Sequence, residues 1–99
     1  MEFHSKIVGS TFCNSQDIIR GLKTGDVLEL VQEKENLYDS HAVRIEKEGI
    51  KLGYLPKDTA YGVSDNIESG EVYTATVSEV TGRDKDNVGC NLLIIVGEE

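Results

Sequence analysis

The spacing of apolar positions changes repeatedly along the chain, and each change predicts an element. Phe3, Ile7 and Val8 give a first extended run, Phe3 to Val8. Gly9 follows, where a strand bulges or lets another backbone approach. Ser10 to Cys13 continues that run or turns out of it. Asn14 has the character of a helix N-cap, with Asp17 three residues on. Ile18, Ile19 and Leu22 then share one helical face, and Lys23-Thr24-Gly25 supplies a cation and a glycine to end the helix. Val27, Leu28, Leu30 and Val31 predict a strand over residues 26–32. From Ala42 to Lys47 the pattern alternates, placing Val43 and Ile45 inward and Arg44 and Glu46 outward. Glu48-Gly49 forms a tight turn, and Ile50 to Leu55 returns as the second arm of a hairpin. Pro56 suits the first turn of a helix. Ala60, Val63 and Ile67 give that helix one apolar face and Gly70 stops it, although Gly62 weakens it by about 1 kcal/mol relative to Ala. Val72 to Val80 reads as a long strand, 81–88 as a polar, mobile loop containing Arg83 and Lys85, and Gly89 to Val96 as a last strand apolar enough for burial. Gly97-Glu98-Glu99 is expected to fray.

The resulting order is β-α-β-β-β-α-β-β. Six short strands and two short helices within 99 residues predict one mainly β domain over 1–99. Its sheet is expected to be antiparallel, strongly bent and closed into a small barrel, which would also protect the strand edges. Hydrophobic residues make up 38% of the chain, so the core must be compact and the surface heavily polar. No apolar run reaches the length of a membrane span. Met1-Glu2-Phe3-His4 lacks the basic-then-apolar opening of a signal peptide. The expectation is a cytoplasmic chain, free of the membrane, with Cys13 and Cys90 as reduced thiols packed like small apolar groups. His4, Cys13, His41 and Cys90 are too scattered for a four-ligand metal site, so neither a metal nor a cofactor is expected.

Charge narrows the functional classes. The formal net charge is −8, from 18 acidic and 10 basic side chains. A phosphate backbone is attracted by clustered Lys and Arg, so general coating of nucleic acid is disfavoured. A local site in which a few cations converge and stacking carries the remainder stays open.

Candidate chemistry concentrates in Glu35-Asn36-Leu37-Tyr38-Asp39-Ser40-His41-Ala42-Val43. Asn, Asp and Ser favour turns because their side chains bond nearby backbone. Tyr38 within such a turn has two readings. It folds back as a lid on the core while Asp39 serves the turn backbone, or it stands out beside Asp39 and receives a planar ligand. Local chemistry alone favours the first, since turn residues usually serve the turn. Catalysis finds little support. Asp39 and His41 fall on one face of an extended segment while Ser40 points away. A Ser-His-Asp triad is defined by spatial roles that three consecutive residues do not supply, and no Gly-rich phosphate loop is present. The chain is read as a binding module, not an enzyme. His41 is expected to bond backbone at a strand start.

Four blocks together resemble the HIRAN domain: Ile7-Val8-Gly9-Ser10-Thr11-Phe12, Leu22-Lys23-Thr24-Gly25-Asp26, Glu35 to Val43, and Leu52-Gly53-Tyr54-Leu55-Pro56-Lys57. Their order and spacing cover almost the whole chain, and the central block is the specific part. The resemblance implies an OB-like, six-stranded β-barrel with two short helices. In the fork-remodelling helicases that carry this domain, it holds the 3′ end of single-stranded DNA. On that likeness Phe12 and Tyr38 would stack on terminal bases and Asp39 would bond the terminal 3′-hydroxyl. Asn36 would buttress the turn, and Tyr54 and Lys57 would contact the strand. Thr11 stands where those helicases carry a basic residue, Leu37 where proline is usual, and His41 where Asn is typical.

The expected function is recognition of single-stranded DNA, at its free 3′-hydroxyl end, by Thr11, Phe12, Asn36, Tyr38, Asp39, Tyr54 and Lys57. The alternative is an accessory domain that keeps the fold without DNA binding and docks a protein partner such as a helicase or nuclease. The acidic surface and Thr11 favour the alternative.

Overall fold

Val43 and Ile45 are sealed from solvent while Arg44 and Glu46 are half-exposed, as alternation along this stretch predicts. The computed structural model describes residues 2–10 and 13–97. The strands are β1 (Glu2–Lys6), β2 (Val27–Gln32), β3 (Val43–Lys47), β4 (Ile50–Tyr54), β5 (Tyr73–Thr81) and β6 (Gly89–Val96). The helices are α1 (Gln16–Arg20), between β1 and β2, and α2 (Lys57–Glu68), between β4 and β5. This is the expected order of elements, with boundaries shifted by a few residues.

The strands form one antiparallel six-stranded sheet in the order β1-β6-β5-β2-β3-β4. Its inner face carries Leu28, Val43, Ile45, Leu52, Ala75, Val77, Leu92 and Ile94, each at most 2% exposed. Ile19 and Leu22 from the α1 region, Ala60 and Val63 from α2, and Ile7, Leu55, Val88 and Cys90 join this core. A five-residue helix has no stability of its own, so burial of Ile19 and the hydrogen bonds of Gln16 with Val88 help hold α1 in place.

The expected barrel needs correction. The strand ladder is open, and β1 and β4 are its two ends. Among the described residues they meet through the segment after β1. The Ile7 amide donates to the Cys90 carbonyl at 3.0 Å, and one residue later Val8 exchanges hydrogen bonds with Tyr54. Gly9, at φ +74, then turns the chain away. A single bridge thus replaces the closing ladder.

Other expectations shift for local reasons. The cap of α1 is Ser15, not Asn14; Asn14 takes φ 55, which Asn tolerates better than most residues. The Ser15 hydroxyl makes no cap bond and donates instead to the buried Leu52 carbonyl, tying the helix start to β4. The helix ends at Gly21, before Lys23-Thr24-Gly25. Those residues form the turn into β2, where the Lys23 amide donates to Asp26 Oδ2 at 2.9 Å. Helix α2 starts just after Pro56 and stops in the expected place: the Gly70 and Glu71 amides donate to the Ile67 and Asn66 carbonyls, a Schellman closure with Gly70 at φ +97. The 82–88 loop is anchored, contrary to the mobile reading. Arg20 donates to the Arg83, Lys85 and Asp86 carbonyls, and Arg83 donates to the Leu22 carbonyl.

Candidate binding site on the 33–42 turn

The segment from Glu33 to Ala42 leaves β2 and returns as β3, fastened at its mouth by the Glu33 amide donating to the Ala42 carbonyl at 2.8 Å. Inside it, short polar side chains take over the work of backbone pairing. Asn36 Oδ1 accepts from the Tyr38 amide at 2.8 Å and the Asp39 amide at 3.0 Å. Asp39 Oδ1 accepts from the His41 amide at 2.9 Å. These are Asx-type bonds, and they fix the turn around Leu37 and Tyr38.

The consequence is a displayed aromatic ring. Tyr38 is 97% exposed and Leu37 95%, so the lid reading of Tyr38 is excluded. The reading of Asp39 as a turn residue holds for Oδ1. Its second oxygen accepts no hydrogen bond among the described residues.

Tyr38 and Asp39 border a cleft of about 400 Å³, together with Asn36, Tyr54 and Lys57. The apolar part of its lining comes from Val8, Ala42, Leu55 and Ala60. This volume lies within the range of small-ligand clefts. The fold therefore gathers Asn36, Tyr38, Asp39, Tyr54 and Lys57 around one opening, although they come from the turn, β4 and the start of α2. Thr11 and Phe12 lie outside the described residues.

Tyr54 reaches the cleft because β4 is irregular. In the β3–β4 ladder Ile45 pairs with Gly53 and Glu46 with Lys51, which leaves Leu52 as an extra residue. Residues three apart on a regular strand point to opposite faces. With the bulge, Leu52 and Gly53 both turn inward, and Lys51 and Tyr54 share the outer face. The Lys51 ammonium sits 4.5 Å from the Tyr54 ring centroid, a cation–π contact.

Behind the cleft stands Glu33, a residue that the sequence pattern did not single out. Its Oε1 accepts from Asn36 Nδ2 at 2.9 Å and from the Tyr54 hydroxyl at 3.0 Å. Its Oε2 faces Arg44 Nη1 at 3.5 Å and Lys51 Nζ at 3.6 Å. Burial pushes the Glu33 carboxyl up, but the bonds from Asn36 and Tyr54 and the charges of Lys51 and Arg44 outweigh it and hold the group below its ordinary range. Its only sequence signal is the Glu33/Asn36 spacing at the base of the turn. The partners on β3 and β4 depend on the bulge, which no periodicity announces.

His41 behaves differently from expectation. Its ring stacks on Tyr61 of α2, with centroids 4.2 Å apart, and Nε2 lies 3.6 Å from Asp65 Oδ1. The side chain thus braces the end of the turn against α2 and bonds no backbone among the described residues. Among the described residues no group of three or more His, Cys, Asp or Glu is placed to hold a metal, and no helix is long and apolar enough to cross a membrane.

No curated protein matches the chain. Two solved structures superpose on it. One is the HIRAN domain of human HLTF, with a TM-score of 0.78 at 17% identity, covering 99% of this chain and 77% of that one. The other is a protein from Lactobacillus plantarum, also at TM-score 0.78 and 17% identity, covering 99% of this chain and 100% of that one. Identity at this level shows a shared fold. The sequence itself matches the HIRAN domain over residues 1–96, and the chain belongs to the HIRAN domain family.

Proposed function

We propose that the cleft on the 33–42 turn receives the free 3′ end of single-stranded DNA. The observation that carries this reading is the placement of a fully displayed Tyr38 next to Asp39, at the rim of a cleft that also holds Tyr54 and Lys57. Tyr38 offers a flat face to a base, an interaction of about 1–3 kcal/mol. The free oxygen of Asp39 accepts a hydrogen bond from a terminal 3′-hydroxyl. An internal nucleotide presents a phosphodiester there instead. At roughly 5 Å in water, repulsion between that charge and the carboxylate is about 1 kcal/mol, and more once water is excluded. Stacking thus holds the strand while Asp39 selects its end. Lys57 supplies the positive charge for a neighbouring phosphate. Phe12 is the proposed second ring, and Thr11 is proposed to lie beside the strand.

The test is a titration with labelled oligonucleotides bearing free or phosphorylated 3′ ends, with Tyr38→Ala and Asp39→Ala as controls. Tighter binding of the free end, lost in both variants, supports the reading. Equal affinity for free and blocked ends removes the end-selecting role of Asp39.

A second reading rests on Leu37. An exposed leucine beside an exposed tyrosine also suits a protein surface, and the net charge of −8 weakens attraction to DNA. In that case a nuclease-treated lysate yields a stoichiometric protein partner, such as a helicase or nuclease, and the oligonucleotides do not bind.

A further inference from the structure

The cleft is assembled from three separate stretches of chain, and something must keep their spacing constant. The 33–42 turn carries Asn36, Tyr38 and Asp39, whereas Tyr54 belongs to β4, on the far side of β3. Both are bound to one atom, Glu33 Oε1. Asn36 is in turn the acceptor that sets the Tyr38 and Asp39 amides. The chain of bonds therefore runs from Tyr54 through Glu33 and Asn36 to the displayed ring and the free carboxylate oxygen.

The second oxygen of Glu33 has a separate effect. It lies between Arg44 of β3 and Lys51 of β4, and Lys51 in turn sits over the ring of Tyr54, which lines the cleft. Arg44 also bonds Glu46, whereas Glu33 is the carboxylate within salt-bridge range of Lys51 among the described residues. Alongside the cleft, sharing Asn36 with it, runs a groove of about 490 Å³ lined by Glu33, Lys34, Glu35 and Arg44. A strand leaving the cleft on this side meets Arg44, already paired with Glu33 and Glu46, and Lys34, already paired with Glu68.

From these contacts we infer that Glu33 is a positioning and selectivity residue of the cleft: one oxygen fixes Asn36 and Tyr54 relative to each other, and the other keeps Lys51 and, together with Glu46, Arg44 from binding DNA backbone. The inference rests on the proposed DNA-end function. It adds that end selection depends on withholding cations as well as on Asp39.

Glu33→Gln and Glu33→Ala separate the two roles. An amide oxygen still accepts from Asn36 and Tyr54 but carries no charge, whereas alanine offers neither. For a free-3′-end oligonucleotide, Glu33→Gln is expected to stay within about threefold of the parent at moderate salt, since the hydrogen bonds persist. Its log–log salt slope steepens by about 0.7 for each cation released to a phosphate. Glu33→Ala is expected to bind about tenfold or more weakly, because bonds to a charged acceptor are lost. In the unliganded proteins, the Asn36 side-chain amide resonances stay close to the parent in Glu33→Gln and move in Glu33→Ala.

Glu33→Ala binding like the parent overturns the positioning role. So does Glu33→Gln failing as badly as Glu33→Ala. An unchanged salt slope in Glu33→Gln overturns the withholding role. If the parent binds no oligonucleotide, the DNA-end reading has failed by itself and takes the withholding role with it. The Asn36 resonances still decide whether Glu33 organises the turn.

Discussion

Val8 and Tyr54 exchange both backbone hydrogen bonds, each N–H reaching the other's carbonyl at 2.8 Å. This one bridge joins the two ends of the sheet and sets the height at which Tyr54 enters the cleft. It is possible because residue 53 is glycine. A Cβ there would lie 2.5 Å from the Val8 carbonyl oxygen and 2.6 Å from Ile7 Cγ2, and the backbone atom has no rotamer by which to yield. Gly53→Ala is therefore expected to lower stability by about 1–3 kcal/mol, measured by denaturant unfolding. It should also weaken oligonucleotide binding through displacement of Tyr54. Unchanged stability would mean that the bridge opens at no cost and does not hold Tyr54.

Much of this arrangement was legible from residue types, and some of it was not. Alternation placed Val43 and Ile45 inside correctly, and the Glu48-Gly49 turn appears with both residues at positive φ, 52 and 82, as a two-residue hairpin requires. Local pattern could not show that Val8 would leave β6 for β4, because partner choice belongs to the whole sheet. Nor could it show the Leu52 bulge, which puts Lys51 and Tyr54 on one face. The cleft was legible only in part for the same reason. Asn36, Tyr38 and Asp39 are neighbours in sequence and could be grouped at once, while Glu33 gains its meaning from Tyr54, Arg44 and Lys51. Family resemblance, not periodicity, brought Tyr54 and Lys57 into the set.

Tyr38 contributes contact surface to solvent and none to the core. Tyr38→Ala is expected to change unfolding free energy by less than about 0.5 kcal/mol while weakening binding of a free 3′ end by about 1–3 kcal/mol. Parallel thermal melts and fluorescence titrations measure both quantities. A large loss of stability would mean that the ring packs in solution, against its 97% exposure.

Binding should respond weakly to salt. Arg44 is paired with Glu33 and Glu46, Lys51 with Glu33, Lys34 with Glu68, and Lys47 with Asp26. Lys57 lines the cleft with no carboxylate in salt-bridge range among the described residues. One phosphate contact on a single strand gives a slope near −0.7 in log affinity against log salt. Lys57→Ala should flatten it further. A slope of about −2 or steeper would show that several further cations engage the strand.

The two thiols should differ sharply in reactivity. Cys90 is 2% exposed, and burial pushes its thiol up to about 11, so at pH 8 almost none of it is the reactive thiolate. Cys13 is half-buried. A disulfide reagent is expected to modify Cys13 in the native protein and Cys90 only at the rate of opening. Mass mapping of the modified peptides after brief exposure at pH 8 distinguishes them, and rapid labelling of Cys90 would show that the β5–β6 layer opens readily.

Acid should loosen the cleft before the rest of the fold, and the direction follows from Glu33. Burial raises its carboxyl, but the bonds from Asn36 and Tyr54, with Lys51 and Arg44, bring it below its ordinary value of 4.5. A carboxyl held lower in the folded chain than in the unfolded one contributes stability that is complete above the unfolded value and disappears as pH falls through the folded one. The loss therefore begins near pH 4.5 and grows on further acidification. Asp26 and Glu68 are lowered as well, by the Lys23 amide and by the Lys34 ammonium respectively; Glu68 is exposed, so its effect fades with salt, whereas Asp26 is half-buried and keeps its backbone hydrogen bond. The difference in unfolding free energy between the parent and Glu33→Gln, followed from pH 7 to pH 2.5, isolates Glu33, because Asp26 and Glu68 contribute equally to both proteins. Glu33→Gln is expected to be less stable than the parent at pH 7 and to lose less on acidification, so that the two curves converge. If they run parallel across this range, the Glu33 carboxylate adds nothing to the fold and the bonds to Asn36 and Tyr54 work equally well with a protonated acid.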